Sequence, residues 1–145
     1  MTAHHTQELV PYTPQQLYDL VLDVVHYPEF IPWCRAARIL SQDEQGFIAE
    51  LMIAFKHVRE SYVSRVVGNE QTMSIDVTMI RGPFHHLTNS WQFLPHEHGC
   101  LIDFRIDFAF KSSLLEGIIG TLFHRATRRM VAAFKERADA LYGQP

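Results

Sequence analysis

The polar and apolar positions of this 145-residue chain change period along its length. Leu17, Leu20, Val21 and Val24 recur at helical spacing behind Thr13-Pro14-Gln15-Gln16, a string that joins an N-cap threonine, a first-turn proline and a capping glutamine. A helix is predicted over 14–24, preceded by the end of a short strand at 8–10. Pro28 and Pro32 then exclude a regular helix between His26 and Cys34 and predict a turn-rich loop loaded with aromatic rings. From Arg35 to Phe110 the period is two, with breaks near 43–46, 56–57, 68–71, 81–84 and 95–99, which delimit six strands. Met73, Ile75, Val77 and Met79 alternate with Ser74, Asp76 and Thr78, and Ile102, Phe104, Ile106 and Phe108 with Asp103, Arg105 and Asp107. Between them, Leu87, Trp91 and Phe93 are expected on the apolar face, with Asn89, Ser90 and Gln92 on the wet one. Breaks this short require antiparallel neighbours, since parallel strands need long crossovers.

Beyond Phe110 the period returns to that of a helix. Ser113-Leu114-Leu115-Glu116 reads as a second capping box, and Gly143 as the stop after Tyr142. The stripe Leu115, Ile119, Leu122, Phe123, Ala126, Met130, Phe134, Ala138 and Leu141 would cover the sheet, with Arg125, Arg128, Arg129, Lys135 and Glu136 largely off it. Residues 1–145 thus read as a single α+β domain in which a meander of about seven strands packs on one long C-terminal helix. A helix about 10 Å wide cannot fill the concavity of a strongly twisted sheet. Two outcomes remain open on pattern alone: an apolar pocket for an apolar ligand, or a close-packed core.

Composition narrows the classes. With 47% apolar and 20% charged residues and ten Phe, the chain is globular rather than disordered or fibrous. Two cysteines in no metal-ligand pattern argue against a disulfide framework or a zinc site and point to a reducing compartment. A basic, apolar leader and an 18-residue apolar run are both lacking, so a cytoplasmic location is expected, with peripheral attachment to the inner membrane as a variant. Residues 1–110 carry seven basic and thirteen acidic groups, and 111–145 six basic and three acidic. The terminal helix, with Arg125, Arg128 and Arg129, could therefore meet lipid phosphates or ribosomal RNA, or simply present a solvated face.

Several strings together resemble one family: Tyr27-Pro28-Glu29-Phe30-Ile31-Pro32-Trp33-Cys34, Arg81-Gly82-Pro83-Phe84 followed by Leu87 and Trp91, Phe108-Ala109-Phe110-Lys111-Ser112, and Met130-Val131-Ala132-Ala133-Phe134 with Arg137-Ala138 and Tyr142-Gly143. The resemblance, from Val10 to Gly143, is to the coenzyme Q-binding protein family, whose bacterial members include ribosome-association toxins. It implies a START-like, helix-grip fold of the polyketide cyclase and birch-pollen-allergen superfamily, with a cavity between curved sheet and C-terminal helix. It also implies ubiquinone or another polyprenyl quinone as ligand, carried or chaperoned in support of respiratory electron transport. The alternative it carries is association with the large ribosomal subunit that blocks subunit joining.

On this reading the ligand-binding residues are Ile75, Val77, Met79, Trp91, Phe93, Phe104, Ile106, Phe108, Phe123, Met130 and Phe134. Phe30, Pro32, Trp33 and Phe84 form the cavity mouth. No catalytic residue, metal or required cofactor is expected. Cys34 has no base beside it in sequence, and His96 and His98 fall in a hairpin turn marked by Pro95 and Gly99, as His85-His86 falls beside another break. Asp103, Arg105 and Asp107 are expected to form outward cross-strand pairs. Glu50, Glu60 and Arg65 are the remaining polar groups that could meet a quinone carbonyl, since their facing is not fixed by the pattern. Arg137 is expected either in the basic patch or as an anchor for the helix end.

Overall fold

A computed structural model describes the backbone of residues 2–55 and 58–143, and the side chains within them except at 2, 55, 58, 118, 119, 122–124, 127 and 128. Strand β1 (Thr2–Val10) leads into α1 (Pro14–Leu22) and a 3-10 helix (Val24–Glu29). The meander follows as β2 (Cys34–Gln42), β3 (Gly46–Phe55), β4 (Val58–Asn69), β5 (Ser74–Arg81), β6 (Phe84–His96) and β7 (Gly99–Phe110), and α2 (Ser113–Tyr142) closes the chain. All seven strands form one antiparallel sheet in the order β1-β7-β6-β5-β4-β3-β2. The six strands predicted between Arg35 and Phe110 are all present. The loop after α1 differs from expectation, because Pro28 is accommodated inside the 3-10 helix.

The cap of α1 is the one predicted: Thr13 accepts from the Gln16 amide, and the Gln16 side chain accepts from the Thr13 amide. In α2 the cap lies one residue earlier than expected. Ser112, not Ser113, accepts from the Leu115 amide, so the third helical residue is an apolar Leu and no box forms. The buried stripe is also rotated at its C-terminal end. Val131, Phe134 and Ala138 are buried, whereas Leu141 is 51% exposed and Tyr142 packs in its place against Tyr12. Helix α2 lies against β1 and β7, and α1 against β6, so both helices cover the concave face.

The concave face carries the core. Phe47, Ala49, Leu51 and Ile53 of β3, Tyr62 and Val66 of β4, and Ile102, Phe104, Ile106 and Phe108 of β7 are all buried at alternate positions. Tight turns set the edges. A Cβ at Gly99 would stand 1.9 Å from the Val10 carbonyl oxygen, a backbone atom of the neighbouring strand that cannot yield.

On the convex face Asp103 pairs across strands with His5 and Asp107 with His86, as predicted, whereas Arg105 bonds Asp103 within its own strand. Asp103 sits beneath three donors: His5 Nε2 at 3.0 Å, Gln7 Nε2 at 2.9 Å and Arg105 Nε at 3.2 Å. Burial pushes the Asp103 carboxyl up, but these hydrogen bonds outweigh it and hold the group below its usual range. A depressed folded-state value means that the stabilisation is complete above the unfolded value of about 3.9 and disappears as pH falls through the folded value. Asp103→Asn should therefore cost about 1–2 kcal/mol at pH 7, and urea denaturation should show the gap to the parent chain closing below about pH 4.

Candidate functional site: a cleft and an inner cavity sharing two residues

The proline-stiffened loop and α2 face each other across an open cleft of about 590 Å³. Phe30, Ile31, Pro32 and Trp33 form one wall, and Arg125, Ala126, Arg129, Met130, Ala133 and Glu136 the other. Beneath it, between α1, the loop and the sheet, lies an inner cavity of about 80 Å³. Its walls come from α1 and the 3-10 helix (Val21, Val24, Tyr27), β3 and β4 (Ala49, Leu51, Ile53, Tyr62, Ser64, Val66) and β5 to β7 (Ile75, Val77, Phe84, Leu87, Asn89, Trp91, Phe104, Ile106). Trp33 and Met130 line both spaces. They form the partition between cleft and cavity, and both are only partly buried.

The loop wall is held by rings and by one ion pair. Tyr27, Phe30 and Phe134 meet pairwise edge-to-face with centroids 5.2–5.9 Å apart, and Phe134 continues edge-on to Trp91 at 5.0 Å. Trp91 in turn lies 4.3 Å from Phe104. Arg137 Nη2 donates to Glu29 at 2.9 Å while its guanidinium sits over the Phe30 ring, 5.1 Å from the centroid. Arg137 therefore anchors α2 to the loop, the second of the two roles expected for it, and the cation–π contact adds to a pair that is partly sheltered from water.

Of the predicted cavity residues, Ile75, Val77, Trp91, Phe104, Ile106 and Met130 line the inner cavity. Four others do not. Phe93 is buried core stacked on Trp91, and Phe108 is enclosed by the rings of His4, Phe84 and Phe110. Phe134 is covered by Tyr27, Phe30 and Trp91, and Met79 is partly buried against the core. Phe123 and Arg128 lie outside the described side chains. Of the predicted mouth, Phe30, Pro32 and Trp33 line the outer cleft, while Phe84 is 1% exposed and forms inner wall instead. Arg125 and Arg129 are exposed on the cleft's helix wall.

The undecided polar residues now have places. Glu50 faces outward, paired with Arg38 at 2.7 Å and accepting from Ser61 at 2.6 Å. Arg65 pairs with Asp43 at 2.9 Å, an interaction that, with two backbone amides, draws that carboxyl down to about 2. Glu60 stands opposite Ile53 on the concave side, outside the cavity lining. The polar groups that do line the cavity are others. The Tyr27 hydroxyl donates to the Val21 carbonyl, Tyr62 and Ser64 stand two residues apart on the same face of β4, and Asn89 presents a side-chain amide. Burial raises both tyrosines far above the ordinary phenol value, so they are neutral donors at any physiological pH.

Asn89 corrects the expectation that it belongs to the wet face. It has the parity of Leu87, Trp91 and Phe93, and pairs with Val77 and Ile106, both cavity residues. Strict alternation along β6 was the signal for it. Burial also pushes the thiols of Cys34 and Cys100 up to about 11, so each is a protonated apolar group at neutral pH. Among the described residues no group of three or more His, Cys, Asp or Glu could hold a metal, and no helix is long and apolar enough to cross a membrane.

A sheet gripping a long helix over an apolar cavity is a fold with known relatives, and the polyketide cyclase / dehydrase and lipid transport pattern matches residues 10–135. The chain belongs to that family. Within it, the chain is 43% identical over 141 residues to the ribosome association toxin RatA of Rickettsia prowazekii, covering 95% of this chain and 96% of that one. It is 33% identical over 141 residues to the mitochondrial coenzyme Q-binding protein COQ10 homolog B of Xenopus laevis, covering 94% of this chain and 58% of the relative. Among solved structures, an 18 kDa Caulobacter crescentus protein shares 37% identity and superposes with a TM-score of 0.79 over 99% of this chain and 100% of its own. The START-like fold expected from the resemblance is thus the fold of this family member.

Proposed function

We propose that the chain binds a long apolar ligand of the polyprenyl quinone type and carries it without altering it chemically. The observation that carries this reading is that Trp33 and Met130 line both an open cleft and a smaller, mainly apolar cavity beneath it. The cleft's 590 Å³ lies within the usual range for small-molecule sites, about 300–1,000 Å³, whereas 80 Å³ holds no more than a few water molecules. A ring entering the cavity must displace Trp33 and Met130, and a methionine, unbranched and adaptable, is suited to moving. Apolar burial supplies the affinity at roughly 25 cal/mol per Å². Relatedness to a protein named for coenzyme Q binding supports the quinone class. Arg125 and Arg129 on the cleft rim would favour loading from an anionic bilayer surface. Both tryptophans of the chain line the cavity. Titration with a short-tailed ubiquinone should therefore quench their fluorescence saturably, and a response linear in quinone, without saturation, would count against the site.

A second reading is favoured by the 43% identity to a ribosome association toxin. On it, Arg125 and Arg129 dock on ribosomal RNA. Arg125→Ala/Arg129→Ala would then reduce ribosome co-sedimentation at low salt by about tenfold or more, and the parent's binding would fall steeply with added salt. Co-sedimentation indifferent to salt and to both arginines would oppose it.

A further inference from the structure

The inner cavity has one feature that apolar-ligand binding alone does not require. Asn89 Oδ1 is buried and has no hydrogen-bond partner among the described residues. Its strand neighbours Val77 and Ile106 are apolar, and so are the other inward residues of β6, Leu87 and Trp91. A leucine would complete this wall, whereas an unpaired buried amide is a standing cost to the fold. The other polar side chains of the sheet lining, Tyr62 and Ser64, share one face of β4, and neither holds a buried atom without a partner among the described residues. The unspent hydrogen-bonding capacity of the sheet wall is therefore that of Asn89. It lies on the sheet, while the partition residues Trp33 and Met130 belong to the loop and to α2 across from it.

Resting on the function proposed above, we infer that Asn89 receives the oxygenated ring of the ligand, so that the headgroup enters first and the apolar tail trails out between Trp33 and Met130 into the cleft. An amide suits this task in either orientation: Oδ1 as placed accepts from the hydroxyl of a reduced ring, and a half-turn of the amide presents Nδ2 to the carbonyl of an oxidised one. The opposite orientation would leave the amide unpaired against hydrocarbon and set the polar ring in the open cleft beside exposed Arg125, Arg129 and Glu136, where it gains little over the solvation it already had in water. Asn89 is thus a specificity-determining residue that distinguishes an oxygen-bearing ring from a plain hydrocarbon of similar shape.

Isothermal titration of the full chain and of Asn89→Leu with two probes, a decyl-tailed benzoquinone and decylbenzene, tests the assignment. The parent chain should bind the quinone at least tenfold more tightly than the hydrocarbon. Asn89→Leu should lose about tenfold on the quinone, hold or gain on decylbenzene, and unfold at the same temperature or higher; Asn89→Val, smaller and strand-favouring, should behave alike if leucine overfills the wall. Equal affinity of parent and both variants for the quinone would overturn the headgroup assignment while leaving the apolar site intact. Failure of the parent to bind either probe would overturn the ligand-binding reading, and this inference with it.

Discussion

Met130→Asp is expected to fold and to lose its ligand. The side chain stands at the partition, half-buried, with one side on the open cleft, so a carboxylate there can keep contact with water while the cavity is empty. Its cost to the fold should be limited to about 1–2 kcal/mol, below the range for emptying a fully buried methionine site. Once an apolar tail lies across the partition, the same carboxylate is stripped of water, and no cation stands among the described residues of the cavity lining to receive it. Arg125 and Arg129 are exposed, and their charge is screened. A loss of at least a hundredfold in quinone affinity follows, about 2.7 kcal/mol. Titration followed by tryptophan fluorescence should show it, alongside a thermal melt close to that of the parent chain.

Phe104→Asp should behave differently, and it has the largest expected effect on stability. Phe104 is 1% exposed, in the middle of β7, and its ring lies against Trp91 within the aromatic line that runs from the loop through Phe134 to the sheet. Removing the ring alone costs about 3–5 kcal/mol. The carboxylate then meets no cation among the described lining residues, and its desolvation adds several kcal/mol more or is relieved by protonation. Together these approach or exceed the typical stability of a single domain, about 5–15 kcal/mol. Circular dichroism of Phe104→Asp should show an unfolded or grossly destabilised chain, whereas Phe104→Ala should retain the fold with a lowered urea midpoint. The two positions separate the roles of the same wall: Phe104 maintains the cavity, and Met130 admits to it.

Much of this arrangement was legible in the residues. The cap at Thr13, the six-strand alternation and the long terminal helix all follow from local rules that the tertiary structure does not override. The aromatic loop was legible as a turn-rich segment placing Phe30 and Trp33 at the mouth, but the 3-10 helix that takes in Pro28 was not. Periodicity could not reveal which inward residues border space and which border each other. Phe93 and Phe108 share the parity of Trp91 and Phe104, yet Phe108 is boxed in by three rings contributed from β1, β6 and its own strand. Tyr142 takes the buried place expected of Leu141 because the C-terminal end of α2 meets Tyr12 and the start of α1 there. Asn89 was obscured for a different reason: its polarity suggested the wet face, and only the register fixes it on the concave one. That Trp33 and Met130 line the same two spaces depends on chain closure across the whole sheet, which no local pattern encodes.

The central claim is that the partition between cleft and cavity opens to admit an apolar, quinone-type ligand. Organic-solvent extraction of the chain and of Met130→Asp, both purified from a quinone-producing host and analysed by mass spectrometry, tests it most directly. Near-stoichiometric polyprenyl quinone in the parent chain, and none in the folded variant, is the predicted result. Equal quinone in both, or none in either, would contradict it.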